Sequence, residues 1–437
     1  MLKLASFVGS VLFLLLVGAC TTVPPLVARA DYCGFRMHKA ELRLPPPERG
    51  ALLTTSEPDN SMLLMSGGGQ HGAFGAGLIT RWKEINGGAL PRFRTVTGVS
   101  TGALLSTDAF INRPEAAQQA YSIDRESQLL RPYARRNGKG GFGIGSYVAI
   151  LRNNAVADLA PLEAMLRDHL DLPTLRRVVE EADGRRLLVG AVDVDSGDAV
   201  VFDMVDMAKK AVASPGVRGE HYRDCYVKAI LASSSVPLAA KPVLIDNRLY
   251  IDGGARYGVF VDTFGREAGL GDDEPAGEPP HLYILVNGLQ RVSAACGKAE
   301  AARCGRDGSD PYDNLDGRHR GWSLLGLAQR SSDVLISQIY RFSVADITAR
   351  YNARYGSVAD RIHYMPIDPE PMLAHGNNGR SCGEWHDLDD RELRPLQFHP
   401  RYMACLISYG RTYADTIADG LRAGSTRPVM RLEGGAR

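Results

Sequence analysis

Apolar positions along this chain fall into short blocks separated by glycine, proline and polar residues, and the first block differs from the rest. Leu4 to Val17 is apolar or small throughout, with Leu12, Phe13, Leu14, Leu15 and Leu16 together and Lys3 as the only early charge. The run is shorter than the roughly 20 residues a membrane span needs and reads as the core of an export signal. From residue 21 to about 60 the chain is rich in Pro, Arg and Glu, with Pro45-Pro46-Pro47 in the middle and no sustained period, which reads as a tether. Met62-Leu63-Leu64-Met65 is a short apolar run closed by glycines, as expected of a buried strand. Leu78, Ile79, Trp82 and Ile85 share one helical face at the end of a stretch that starts at Gly72. Phe93 to Val99 predicts a second strand, and Thr101 to Ile111 a second helix.

Later blocks continue the alternation. Arg186 to Val194 and Ala199 to Met204 predict strands around an Asp195-Ser196-Gly197-Asp198 turn. Leu249-Tyr250-Ile251 and Leu282 to Val286 predict further strands, with a turn-rich segment, Gly265 to Pro280, between them. Trp322 to Tyr355 has the longest helical pattern and is expected to hold more than one helix. Strands alternating with helices indicate an α/β layered fold.

Composition narrows this picture only a little. The 437 residues are 44% hydrophobic and 23% charged with a formal net charge of +1, so no nucleic-acid partner is expected. Arg131, Arg135, Arg136 and Lys139 form a basic cluster ahead of the glycine-rich run from Gly138 to Gly145, and read first as a solvated loop, with contact to anionic headgroups as the alternative. Of the seven cysteines, Cys20 follows the apolar run, which leaves Cys33, Cys225, Cys296, Cys304, Cys382 and Cys405 as an even set suited to disulfides. Cys296 with Cys304 and Cys382 with Cys405 could each close a loop, but spacing alone leaves the pairing open. The cysteines lack C-x-x-C pairs, so no metal site is expected and no cofactor is called for.

Three segments carry candidate chemistry. Gly98-Val99-Ser100-Thr101-Gly102 is a G-x-S-x-G motif between a predicted strand and a predicted helix, the context in which the serine hydroxyl is pushed out of a sheet at a sharp turn. Ser66-Gly67-Gly68-Gly69-Gln70-His71-Gly72 follows a strand and opens a helix, so its backbone N–H groups could hold an oxyanion. Gly67, Gly69 and Gly72 also satisfy G-x-G-x-x-G, but the next strand ends at Ser100 rather than at the acidic residue a dinucleotide site requires. Tyr250-Ile251-Asp252-Gly253-Gly254 places an Asp directly after a strand, a pattern that ordinary turns also produce.

Together, in this order, the three segments resemble the patatin-like phospholipase family, from about Leu63 to Val259. The resemblance implies a three-layer α/β/α fold with a central, mostly parallel sheet. It implies Ser100 as nucleophile and Asp252 as base, an oxyanion hole at Gly67, Gly68, Gly69 and Gly72, and motif glycines Gly98, Gly102, Gly253 and Gly254. The substrate class it implies is a lipid acyl ester, as for a phospholipase A or lysophospholipase. His71 stands where many members carry Arg or Lys, so the charge beside the loop is expected to depend on pH. An ordinary Asp, with a pKa near 3.9, is a poor base for serine, so burial is expected to raise it. A carboxylate base is not expected to require a histidine-like limb near pH 6.5. Two other readings stay open: a Ser-His-Asp triad using His281 or His363, which follow Asp252 in the chain, and an inactive envelope scaffold.

Val17-Gly18-Ala19-Cys20 resembles a bacterial lipobox, which implies cleavage before a lipidated Cys20 and a membrane anchor. Thr21 and Thr22, rather than an Asp, lean toward the outer membrane, facing the periplasm. The expected organisation is a signal peptide over 1–19, a lipidated tether over 20–60 and a hydrolase core over 61–290. A helical extension over 291–437 is expected to pack on the same domain.

Overall fold

The computed structural model describes residues 33–34, 37–40, 60–133, 144–153, 155–261, 279–290, 324–356 and 361–422. The signal segment, Cys20, Arg135, Arg136, Lys139, Cys296, Cys304 and most of the segment from Gly265 to Pro280 lie outside those residues.

A nine-stranded sheet forms the centre. Its strands are β1 (Met37–Ala40), β2 (Ser61–Met65), β3 (Thr95–Val99), β4 (Arg186–Asp193), β5 (Ala199–Asp203), β6 (Val243–Ile245), β7 (Arg248–Asp252), β8 (His281–Val286) and β9 (Ile362–Pro366). The main path runs β1-β5-β4-β3-β2-β8-β9, while β7 pairs with β4 and carries β6 at its side. Five strands from β4 to β9 along this path are parallel. The hairpin of β4 and β5, and the pairings of β1 and β7, are antiparallel.

The period of two along β2 explains the layering. Leu63 and Met65 enter one core cluster with Phe74 and Leu406, whereas Met62 and Leu64 enter another with Tyr340, Ile347 and Tyr351. Successive side chains point to opposite faces, so an unbroken apolar strand requires cover on both. That cover makes the fold α/β/α. The helices that position the site are α1 (Gly72–Ile85), α2 (Thr101–Phe110), α3 (Ala160–His169), α4 (Val217–Ser233), α5 (Leu324–Tyr355), α6 (Cys382–Glu392) and α7 (Pro400–Arg422). Helix α7 lies against α1 where Gly77 and Gly410 let the two backbones meet: a Cβ at Gly410 would sit 2.0 Å from the Phe74 carbonyl oxygen. Residues from the C-terminal extension thereby reach the first helix of the body.

Two expectations change. The pattern from Trp322 to Tyr355 is one helix, Leu324–Tyr355, of 32 residues. Beyond Gly326 it contains neither Gly nor Pro, so nothing in its backbone chemistry ends it early. Inside the segment read as a tether, β1 pairs with β5 and Cys33 bonds to Cys225 of α4. The second disulfide joins Cys382 and Cys405, with Cα atoms 5.5 Å apart, and ties α6 to α7.

Candidate active site

The sheet brings Ser100 and Asp252 together by register. Val99, the last residue of β3, pairs with Gly190 of β4, and Ala191 of β4 pairs with Asp252 at the end of β7. Residues 152 apart in the chain therefore meet across one intervening strand. Ser100 has φ 52° and ψ −120°, a conformation that costs a non-glycine residue about 1–3 kcal/mol and needs surrounding structure to hold it. The motif glycines make room for that turn. A Cβ at Gly98 would lie 2.4 Å from the Gly102 carbonyl oxygen, and one at Gly102 would lie 2.2 Å from that of Met65.

A serine cluster at the end of α4 holds the turn. The Ser100 N–H donates to Ser233 Oγ at 2.8 Å, and Ser233 Oγ donates to the Gly190 carbonyl at 2.6 Å. The Asp252 N–H donates to the Ser235 carbonyl at 3.0 Å. One helix end thus fixes both residues. Ser233→Ala leaves the Ser100 N–H and the Gly190 carbonyl without this buried partner, which should cost about 1–3 kcal/mol of stability. Because it loosens the turn and leaves the cavity wall unchanged, kcat is expected to fall about tenfold, one order per 1.36 kcal/mol, with KM nearly constant. Melting curves and steady-state kinetics of the variant test both effects.

Ser100 is 7% exposed and Asp252 4%. The Asp252 carboxylate accepts from the Gly254 N–H at 2.7 Å and from the Ser100 side chain. Burial pushes its pKa up from 3.8 to about 7, against the lowering effect of those two hydrogen bonds. Gly253 permits the close approach of β4: a Cβ there would be 2.7 Å from the Gly190 carbonyl oxygen.

The glycine loop lies beside Ser100. A Cβ on Gly67 would stand 3.0 Å from Ser100 Cβ and 2.9 Å from the Tyr340 hydroxyl. Ser66 anchors the loop to the end of β8: its hydroxyl accepts from the Asn287 N–H at 2.9 Å and its carbonyl accepts from Asn287 Nδ2 at 3.0 Å. Thr101 Oγ1 donates to the Gly69 carbonyl at 2.8 Å. Gly68 and Gly69 line the cavity in front of Ser100. Gly72 does not serve as expected. Its N–H is bonded to the carbonyls of Gly69 and Gln70, and its missing side chain admits Thr101, whose Cγ2 would be 2.0 Å from a Cβ there.

His71 also departs from expectation. Burial lowers its pKa to about 4, offset in part by a bond from its Nδ1 to the Gly68 carbonyl and reinforced by His386 and His399. The imidazole is therefore neutral across the physiological range, and the loop's charge does not follow it.

Sequence reasoning did not single out the residues that close the site from the C-terminal side. Gln70 Oε1 accepts from the His399 backbone N–H at 3.1 Å and lies 3.0 Å from His399 Nδ1. The Glu126 carboxylate accepts from the N–H groups of Leu396, Gln397 and Phe398 at 2.7–2.9 Å, pinning that loop beside Gly69. Tyr340 comes from α5 and reaches Gly67. Among the described residues, two sets could present three ligands to a metal. Cys33, His221 and Cys225 include a disulfide. In the set of His386, Asp390 and His399, the two rings are stacked 4.2 Å apart and the His399 nitrogens already face Asp390 and Gln70.

The histidines of the triad alternative are elsewhere. His281 begins β8 opposite Ser61, at the start of β2, and His363 pairs beside Tyr283 near the start of β9. The glycine loop leaves the other end of β2. His281 Nδ1 and His363 Nε2 lie 3.0 Å apart and face each other.

Residues 63–264 match the family model of the patatin-like phospholipases. The chain carries a patatin-like phospholipase domain. That domain contains the glycine loop, the Ser100 turn and Asp252, and supports lipid acyl hydrolysis in general. No curated protein matches the sequence. Among solved structures, VipD from Legionella pneumophila aligns at 11% identity over 87% of this chain and 85% of its own, with a TM-score of 0.27.

Proposed function

We propose that this patatin-like protein cleaves lipid acyl esters, as a phospholipase A or lysophospholipase, through a Ser100–Asp252 dyad. The observation that carries the reading is the buried Asp252 carboxylate bonded by the Ser100 side chain. Among the described residues, no histidine bonds to that hydroxyl. Asp252 takes the Ser100 proton as Oγ attacks the ester carbonyl carbon, and the N–H groups of Gly67, Gly68 and Gly69 receive the oxyanion. The intermediate collapses as Asp252 passes the proton to the departing alcohol. Water then attacks the acyl-enzyme, Asp252 accepts its proton, and the fatty acid leaves as Ser100 recovers its own.

The cavity supports a lipid substrate. Its volume is about 1430 Å³, above the range of roughly 300–1,000 Å³ usual for small-molecule pockets. Leu238 and Leu335, 65% and 64% exposed, stand among its lining residues. Leu238 has φ 69°, so a strained backbone presents an apolar side chain to solvent. Incubation with phosphatidylcholine and lysophosphatidylcholine carrying acyl chains of eight to sixteen carbons should release free fatty acid. Absence of release from these and from a neutral-lipid panel would remove the lipid assignment.

The reading includes export and lipidation at Cys20, which would hold the enzyme at its substrate surface, on the periplasmic side of an outer membrane. The disulfides Cys33–Cys225 and Cys382–Cys405 suit an oxidising compartment. Among the described residues no helix is long and apolar enough to cross a membrane. Mass spectrometry of the mature N-terminus should find an acylated Cys20; an intact Met1 would refute the anchor.

A further inference from the structure

The cavity in front of Ser100 has one arm that runs between α2 and α3. On α2 it is lined by Leu104 and then Asp108, four and eight residues beyond Ser100. On α3 it is lined by Leu162 and Leu166 and then His169, again one face of a helix. The apolar lining from both helices ends at the same place, where His169 Nε2 lies 2.8 Å and 3.0 Å from the two carboxylate oxygens of Asp108. Asp108 is 2% exposed and the His169 side chain 27%. A second cavity of about 550 Å³ adjoins the pair and shares Arg113, Asp168 and His169 with the first. The proposed catalytic steps do not use this polar pair.

We propose that this arm receives the acyl chain and that the Asp108–His169 pair is its end wall, which makes the enzyme selective for medium-chain acyl groups. The inference rests on the acyl-hydrolase reading and names the substrate within it. Eight residues of helix span about 12 Å. An extended chain advances about 1.25 Å per carbon on bonds of roughly 1.5 Å, so the arm holds about ten carbons. A longer chain meets a carboxylate that must keep its partner while buried, and then a cavity lined mainly by charged residues, among them Arg113, Asp168 and Asp171, that covers further methylenes poorly. Asp108 and His169 act here as specificity determinants and take no part in bond making.

The test is a series of p-nitrophenyl esters from four to sixteen carbons. Within the arm each added methylene should raise kcat/KM about fourfold, and the rise should stop near ten carbons. Leu104→Trp, which blocks the arm about 6 Å from Ser100, should move the break to shorter chains. Asp108→Leu combined with His169→Leu removes both charges together and should let the rise continue past the wild-type break. Should the double variant fail to fold, the tryptophan variant decides. A rise continuing smoothly to sixteen carbons in the wild type, or a break that neither variant moves, overturns the proposal. Calorimetry of free fatty acids of the same lengths binding to Ser100→Ala reads the arm without hydrolysis. A break in affinity near ten carbons, together with a wild-type protein that hydrolyses no ester of the series, would keep the chain-length wall and sink the hydrolase reading instead.

Discussion

Ser100→Ala is expected to abolish ester hydrolysis and covalent labelling by a fluorophosphonate while leaving the fold unchanged. The hydroxyl is the only protein group in the proposed mechanism that bonds to the acyl carbon, so its loss should lower kcat by at least about a thousandfold. Any residual rate would come from the glycine loop and from substrate binding. The backbone gives a second readout. Alanine at φ 52° inherits the strain of serine, so the melting temperature of this variant should barely move. Glycine at the same position carries no Cβ penalty, so Ser100→Gly should be equally inactive but more stable, by about 1 kcal/mol. Labelling that persists in Ser100→Ala would remove the nucleophile assignment. An Ser100→Gly variant that melts below wild type would show that the turn is not strained.

Much of this site was legible because its signals are local. Met62 to Met65 is a short apolar run between serines, Phe93 to Val99 is a β-branched stretch that ends at Ser100, and the strands at Ser61–Met65 and Thr95–Val99 coincide with them. The glycines at positions 98 and 102 exclude side chains at a crossing only a few residues away. Asp252 was visible only through its company. Alone, Asp-Gly-Gly is a turn, and the register Val99–Gly190 with Ala191–Asp252 turns it into a neighbour of Ser100.

What stayed hidden depends on pairs far apart in sequence, which leave no period and no spacing. Ser233 and Ser100 are 133 residues apart, Asn287 and Ser66 are 221 apart, and Leu396 and Glu126 are 270 apart. Each is an ordinary polar residue until folding supplies its partner. The disulfide of Cys33 with Cys225 spans 192 residues and belongs to the same class. Gly72 was misread for a related reason. A glycine in a glycine-rich loop can offer its N–H or make room for a neighbour, and only the position of Thr101 decides. The electrostatics of His71 and Asp252 likewise follow from burial. Sequence gives the type of each group, while the surrounding density moves one to about 4 and the other to about 7.

Asp252→Asn is expected to be both nearly inactive and more stable than wild type above neutral pH. Asparagine keeps an oxygen for the Gly254 N–H but cannot accept the Ser100 proton, so activity should fall about a thousandfold or more. The stability gain follows from proton linkage. In the folded protein Asp252 holds its proton up to about pH 7, whereas its ordinary pKa is 3.8. Between those values the folded state binds more protons than the unfolded state, so rising pH weakens the fold. The penalty is absent below the ordinary pKa and complete above about 7. Asparagine is neutral throughout and escapes it, a gain of about 4 kcal/mol at pH 8, at about 1.36 kcal/mol for each pKa unit. The gain should shrink as pH falls and vanish near 4. The same burial revises the expectation for the pH–rate profile. The wild-type kcat/KM should fall about tenfold per pH unit below roughly 7, since the carboxylate must be ionised to act. A limb in that range is therefore the signature of Asp252 itself and does not indicate a histidine. Denaturant unfolding of both proteins from pH 4 to pH 8 measures the linkage directly. A variant that is active, or one that is less stable than wild type at pH 8, would show that Asp252 is not a buried base held ionised against its surroundings.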